Sequence, residues 1–169
     1  MQRNLRTITG LSAAVLLSLA LAAGCVPGLP PAAADAVKAE FPGAVVGEME
    51  QETEDGVAVY EVELTRGGKE MEVTVTADGT IVEVETEIAQ ADLPKAVAAA
   101  IAKAAGGAKL TEIEREETRA VVRDGKLVKL DKPKVTYEAE FLKDGREVEV
   151  EVAPDGKILK TETEDDDED

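Results

Sequence analysis

The sequence predicts an α+β fold of two tandem repeats, in which each repeat is one helix packed on a four-stranded antiparallel meander sheet. The first observation is a strand unit that occurs twice, as Tyr-Glu-Val-Glu-Leu at 60–64 and Tyr-Glu-Ala-Glu-Phe at 137–141. The offset of 77 residues continues without a gap as far as Glu-Thr-Glu at 85–87 and 162–164. An unbroken match of this length indicates two copies of one supersecondary unit.

The second observation is strict alternation of apolar and acidic residues, as in Met71, Val73 and Val75 with Glu70 and Glu72 between them. Period-two alternation is typical of strands with one buried and one solvated face. The third observation is the set of turn dipeptides between these strands, such as Gly-Gly at 67–68 and Asp-Gly at 78–79. Such tight turns connect antiparallel neighbours.

A helix is predicted to open each repeat. The first helix runs from about Pro31 to Phe41, because proline is tolerated in a first turn and Pro-Gly at 42–43 ends the pattern. A strand from Ala44 to Thr53 follows. The repeats are assigned to 31–88 and 92–164, and their sheets either stay separate or join edge to edge.

The second helix has a clearer apolar face. Leu93, Val97 and Ile101 recur at a spacing of four residues. Asp92 is predicted to cap the N-terminus of this helix, and Gly-Gly at 106–107 to end it.

Residues 1–24 have the pattern of a secretory signal, with two arginines before a short apolar run. The run closes on Ala-Gly-Cys, which resembles the lipobox of bacterial lipoproteins and implies cleavage before Cys25 and lipidation of its thiol. Residues 25–30 are predicted to form a proline-rich tether and residues 165–169 a solvated acidic tail. The protein is therefore expected to be exported and lipid-anchored in the cell envelope, on the periplasmic face of an outer membrane where one exists.

The most individual segment is an insertion in the second repeat at about 119–134. It carries six basic and two acidic residues around an Asp-Gly turn, which predicts a basic hairpin in an acidic protein. One interpretation is a contact with an acidic partner or an anionic envelope polymer; the other is pairing with the chain's own carboxylates. The candidate partner-binding residues are Arg119, Arg123, Lys126 and Lys129.

The outward-facing glutamates of the predicted strands should cover one open sheet face. This face is either a docking surface for a basic partner or a solvated face that keeps the sheet soluble. The residues assigned to it are Glu61, Glu63, Glu70, Glu72, Glu138, Glu140, Glu147, Glu149 and Glu151.

Composition argues against most chemistry. The net charge of −17 disfavours binding to nucleic acid. The chain has no histidine, and its only serines and only cysteine lie within the first 25 residues. Nucleophilic triads and zinc sites depend on these residue types, so neither an enzyme nor a cofactor is expected. The acidic tail predicts only weak, diffuse Ca²⁺ binding.

The helix-then-meander order, the Pro-Gly-Ala entry at 42–44 and the Tyr-Glu-Val-Glu strand at 60–63 resemble PepSY-like domains, of the β-lactamase-inhibitor-protein-like group. The resemblance covers about 31–88 and 92–164. It implies an exported protein that binds or inhibits a peptidase, although the tryptophan of many members is missing here. The predicted function is therefore a non-enzymatic binding module of the envelope. The alternative is an acidic cation-binding or passive structural lipoprotein.

Overall fold

The computed structural model describes residues 28–163, which form eight β-strands, two α-helices and one short 3₁₀ turn at Gln90–Asp92. The strands are long and the helices short, so the protein is mostly β. In chain order the elements are α1 (Pro31–Glu40), β1 (Val45–Glu54), β2 (Val57–Arg66), β3 (Lys69–Thr76), β4 (Ile81–Glu87), α2 (Lys95–Ala105), β5 (Leu110–Arg123), β6 (Lys126–Lys143), β7 (Arg146–Val152) and β8 (Ile158–Thr163).

All eight strands belong to one antiparallel sheet in the order β1 to β8. The predicted fold of two repeats, each with its own four-stranded sheet, is therefore wrong. The overturning feature is the pairing of β4 with β5, in which Glu83 lies opposite Thr118 and Glu87 opposite Glu114. This pairing satisfies the backbone hydrogen-bonding groups that two separate sheets would expose at their inner edges.

Both helices pack on one face of the sheet, and the core lies beneath them in two clusters. Under α1, Val37 packs with Val62 and Val73 of the sheet. Under α2, Ile101 packs with Phe141. Tyr60 and Tyr137 occupy matching positions 77 residues apart, and each packs half-buried against its own cluster. The alternating apolar residues of the strands therefore form the buried face, as the pattern predicts.

The two helices are present within a few residues of their predicted bounds, but the capping of α2 differs from the prediction. Pro94 occupies the N-cap position, no side chain caps the helix, and Asp92 lies in the 3₁₀ turn. The predicted N-cap role of Asp92 is therefore wrong. Gly106 ends α2 in the left-handed conformation at φ 62°, as the Gly-Gly pair predicts.

Two turn glycines bring the sheet into contact with the helices. A side chain at Gly79 would begin 2.6 Å from the carbonyl oxygen of Ala32 in α1. At the matching position 77 residues later, a side chain at Gly156 would begin 2.7 Å from the carbonyl oxygen of Ala96 in α2. The first turn of each helix thus contacts a β-turn, and only a glycine in that β-turn lets the two backbones approach so closely.

The basic insertion is an extension of β5 and β6, and it is called the arm here (residues 119–134). Its two strands pair from Ala120 opposite Lys129 to Arg123 opposite Lys126. The arm tip lies against the β1–β2 turn, because a side chain at Gly125 would begin 3.3 Å from the carbonyl oxygen of Asp55. The arm therefore connects the second half of the sheet to the first.

The predicted signal sequence, Cys25 and the acidic tail lie outside the described residues, as does the first half of the tether. Leu29, in the part of the tether that is described, is buried in the cluster under α1. Neither described helix is long and apolar enough to cross a membrane.

Candidate binding surface

The sheet face opposite the helices carries a nearly continuous field of carboxylates, called the glutamate face here. Most of its residues follow from alternation, because they neighbour core residues in the same strand. Val62, Val84 and Ala139, for example, belong to the buried clusters, and the glutamates on either side of each point away from the helices. The central members of the face are Glu63, Glu72, Glu83, Glu85, Glu87, Glu112, Glu114, Glu116, Glu138, Glu140, Glu149 and Glu151.

Strand register aligns these glutamates in rows across the sheet. One row places Glu85 opposite Glu116, and the next places Glu114 opposite both Glu87 and Glu138. A third row places Glu140 opposite Glu112 and Glu149. Neighbouring strands are about 4.8 Å apart, and like charges directly opposite one another are destabilising. The face therefore concentrates repulsion at the middle of the sheet.

Burial and neighbouring charge shift the acid–base equilibria of this region. The pKa of Glu114 is raised to about 7, mainly by partial burial and then by the carboxylates of Glu112 and Glu72. Burial is also the main cause that raises the pKa of Glu138 and of Glu140, followed by Glu149 for the former and by a hydrogen bond with Glu147 for the latter. Both effects disfavour the ionised form. These groups consequently retain protons at a pH where ordinary glutamates are ionised.

Three carboxylates of the face converge closely. Glu83, Glu85 and Glu116 each offer an oxygen within 4.8 Å of the other two. The Thr118 hydroxyl donates to Glu83 at 2.7 Å, and the Thr136 hydroxyl donates to Glu116. These are the described residues best placed to contact a cation, but two of the three already accept hydrogen bonds from the sheet. We therefore do not assign a metal site to them.

The chain's own lysines neutralise one margin of the face. Lys134 Nζ lies 3.0 Å from Glu151 Oε1, and Glu151 is only 9% exposed. Lys160 Nζ lies 3.5 Å from Glu149 Oε1 and 2.7 Å from Glu162 Oε2. Both contacts lie toward β7 and β8. The face thus accommodates ammonium groups directly against its carboxylates at that side.

The predicted partner-binding residues of the arm divide into two groups. Arg119 is engaged within the chain, since its guanidinium donates to Glu40 at 2.8 Å and to Glu117 at 2.9 Å. Arg123, Lys126 and Lys129 are exposed on the outer part of the arm. The structure therefore separates an anchoring arginine from three solvent-accessible cations.

Sequence reasoning missed the centre of the glutamate face. Glu83, Glu85, Glu112, Glu114 and Glu116 are not among the residues predicted for it, although all but Glu116 stand next to an apolar residue. Their convergence depends on the β4–β5 pairing, which joins the two halves of the sheet. The alternation was a sufficient signal for the direction of these side chains, but it carries no information about that pairing.

Residues 32–85 match the family model described as peptidase propeptide and YPEB domain, PepSY. This match supports a PepSY-like domain in the first half of the sheet. No curated protein matches the chain significantly.

Solved structures share the fold over most of the chain. A BLIP-like protein from Bacteroides fragilis is 21% identical, with a TM-score of 0.58, over 86% of this chain and 94% of its own. A DUF2874 family protein from Bacteroides uniformis is 15% identical, with a TM-score of 0.61, over 79% of this chain and 88% of its own. A protein from Bacteroides eggerthii that is described as periplasmic is 15% identical, with a TM-score of 0.63, over 80% of this chain and 88% of its own. At these identities the likeness concerns the fold alone.

Proposed function

We propose that this protein is a non-enzymatic binding module of the bacterial envelope and that the glutamate face is its binding surface. The observation that carries the proposal is a broad carboxylate field opposite both helices. A face needed only for solubility would be served by dispersed charges of both signs, whereas aligned rows of one sign lower the stability of the sheet. A partner with a basic surface offsets this repulsion on binding.

The finer proposal is that the partner is a peptidase, whose activity the module lowers. The PepSY match over 32–85 and the fold shared with a BLIP-like protein support this choice. We further infer that residues 92–164 carry a second PepSY-like segment within the same sheet, supported by the constant offset of 77 residues. Export and lipidation of Cys25 remain proposals that the sequence of residues 1–25 supports.

The test is capture of partners from detergent-solubilised envelope with the tagged full chain at moderate salt. The face variant carries Glu114→Lys and Glu138→Lys. The control carries Asp35→Asn and Asp92→Asn, two exposed acids on the helix side. We expect one stoichiometric protein that the wild type and the control retain and the face variant loses.

Equal capture by the face variant and the control would exclude the glutamate face as the binding surface. If the captured protein is a peptidase, the purified module should lower its activity, and unchanged activity would remove the inhibitory role while leaving binding intact.

The exposed end of the arm is a second candidate contact, for an anionic partner. Arg123, Lys126 and Lys129 are exposed, and among the described residues none of them forms a salt bridge that would neutralise it. Replacing all three by glutamate should abolish capture of an anionic partner without changing stability. If capture is unchanged, the arm serves only as a structural connection.

A further inference from the structure

We propose that a lysine- or arginine-rich segment of a protein docks on the centre of the glutamate face, and that its cations displace protons which the free face holds between opposed carboxylates. This inference rests on the proposed function and adds to it both the chemistry of the ligand and a proton exchange. It makes binding dependent on pH in a direction that simple charge attraction to an ionised surface does not give.

The first step of the argument is geometric. Glu114 lies between Glu87 and Glu138 in register, and Glu140 lies between Glu112 and Glu149. Each central carboxyl therefore has a carboxyl opposite it on both sides. Among residues 28–163, no lysine or arginine forms a salt bridge with Glu114 or Glu138. Protons are the counter-charge that the free chain has available at these positions.

The second step concerns the groups that surround these carboxyls, because a nearby cation would remove the need for a proton. The neighbouring strands contribute acids on both sides, and two lysines pair with the face, Lys134 of β6 with Glu151 and Lys160 of β8 with Glu149. The charged groups that face Glu114, Glu138 and Glu140 are Glu72, Glu85 and Glu87 from β3 and β4, Glu112 and Glu116 from β5, Glu147, Glu149 and Glu151 from β7, and the lysines bound to the last two, Lys160 and Lys134.

The third step identifies the ligand. At the margin, Lys134 reaches the largely buried Glu151, which shows an ammonium group in direct contact with this face. Carboxylates that follow one another about 4.8 Å apart along each row suit several cations presented together by one polypeptide segment better than a single ion. A positive charge near a carboxyl favours its ionised form, so each arriving ammonium or guanidinium group lowers the affinity of the face for protons. The displaced protons pass to solvent, and the face and the segment then pair as ions.

The experiment is calorimetric titration of the full chain with an oligolysine peptide, in two buffers of different ionisation enthalpy and at several pH values. We expect a heat that depends on the buffer near neutral pH, which reports proton release. The affinity should rise with pH, by about tenfold per pH unit for each proton displaced. The Glu114→Gln and Glu138→Gln double variant should bind more weakly and release fewer protons. The control with Asp35→Asn and Asp92→Asn should match the wild type.

The possible failures are distinguishable. Binding that requires the face but shows no buffer dependence and no rise with pH would overturn the proton exchange and leave the proposed function standing. Equal binding by the double variant and the control would overturn the docking surface itself. Release of the same protons by Ca²⁺ alone, with loss of peptide binding in its presence, would overturn the assignment to a polypeptide ligand.

Discussion

Glu138 is a residue whose position is set by the strand but whose negative charge is unfavourable at that position. Its neighbour Ala139 is buried in the core, so the strand must direct Glu138 onto the opposite face. There it is half-buried and lies opposite both Glu114 and Glu151. Its position in the strand is thus fixed by the fold, while its charge is unfavourable to the fold. Such a residue is more readily explained by binding than by stability.

Glu138→Gln is expected to stabilise the free protein by about 1 kcal/mol at about pH 8, because the wild-type carboxyl ionises on unfolding at that pH, whereas burial and its neighbours disfavour its ionisation in the folded state. The same variant should change the free energy of unfolding little at about pH 4, where the carboxyl is protonated. Denaturant unfolding at both pH values measures this difference. Asp35→Asn removes one negative charge from an exposed site and serves as the control; a similar gain in that variant would assign the effect to net charge alone.

Arg119 has the opposite role, since it anchors the arm to the rest of the chain. Arg119→Ala removes its hydrogen bonds to Glu40 and Glu117 and should lower the free energy of unfolding by about 1 kcal/mol. Arg123→Ala, an exposed arginine of the same arm, should change it by less than about 0.5 kcal/mol. Thermal melts of the two variants provide the comparison, and equal effects would show that the two ion pairs do not hold the arm.

At the scale of elements, contacts between turns and helices matter as much as the strands. Gly79 and Gly156 both have positive φ, at 85° and 87°, and both approach a helix backbone. Gly145 has a similar φ of 83° in the β6–β7 turn but meets nothing within 4 Å. The three turns look alike in the sequence, as Asp-Gly pairs. Their different surroundings allow the cost of conformation to be separated from the cost of close packing.

Gly79→Ala and Gly156→Ala should each destabilise the protein by roughly 2–4 kcal/mol, because the added methyl group meets a helix carbonyl as well as an unfavourable φ. Gly145→Ala should lower stability by only about 1 kcal/mol, the conformational part alone. The measurement is the free energy of unfolding of the three variants. Equal losses at all three positions would mean that the helices shift freely and that the close contacts are unimportant.

The sequence could predict features that depend on local interactions, but not features that depend on contacts between distant segments of the chain. The strands and helices were predictable because alternation, Pro-Gly breaks and the Gly-Gly end of α2 are local signals. The single sheet could be given only as one of two alternatives, because the pairing of β4 with β5 joins strands separated by α2. The same reason explains the missing centre of the glutamate face and the engagement of Arg119 by Glu40. The N-cap prediction for Asp92 was wrong because a residue type that favours capping lies near the start of α2, yet Pro94 occupies the N-cap position.

For the whole molecule, the net charge and the glutamate face both lower the stability of the folded protein. The formal charge is −17, so acidic side chains repel one another throughout the fold, and the glutamate face concentrates that repulsion on one side of the sheet. One continuous sheet is a physical reason to expect a single unfolding transition, because loss of either half exposes the paired edges of β4 and β5. Stability should therefore respond to pH and salt as a property of the entire sheet.

Stability of the free protein should fall as the pH rises from about 5 to about 9. Glu114 and Glu138 have an ordinary pKa of 4.5 that is raised to about 7 and to about 9, respectively, in the folded protein. In that window the folded state binds more protons than the unfolded state, so the free energy of unfolding decreases with pH. Below this window these glutamates are protonated in both states, and the stability lost at higher pH is fully present. At still lower pH stability begins to fall, because two acids have a pKa lowered by the hydrogen bonds they accept, Asp78 from Thr76 and Glu117 from Arg115.

Thermal melts across this range test the sign, and a net change of about 1 kcal/mol should move the midpoint by roughly 4 °C. Added salt should raise the midpoint more at the alkaline end than at the acidic end, because screening acts on ionised carboxylates. The Glu114→Gln and Glu138→Gln double variant should flatten the pH profile, whereas Asp35→Asn with Asp92→Asn should preserve its slope. A wild-type profile that rises with pH would show that the carboxylates of the face are ionised without penalty, and the repulsion that favours a basic partner would then be absent.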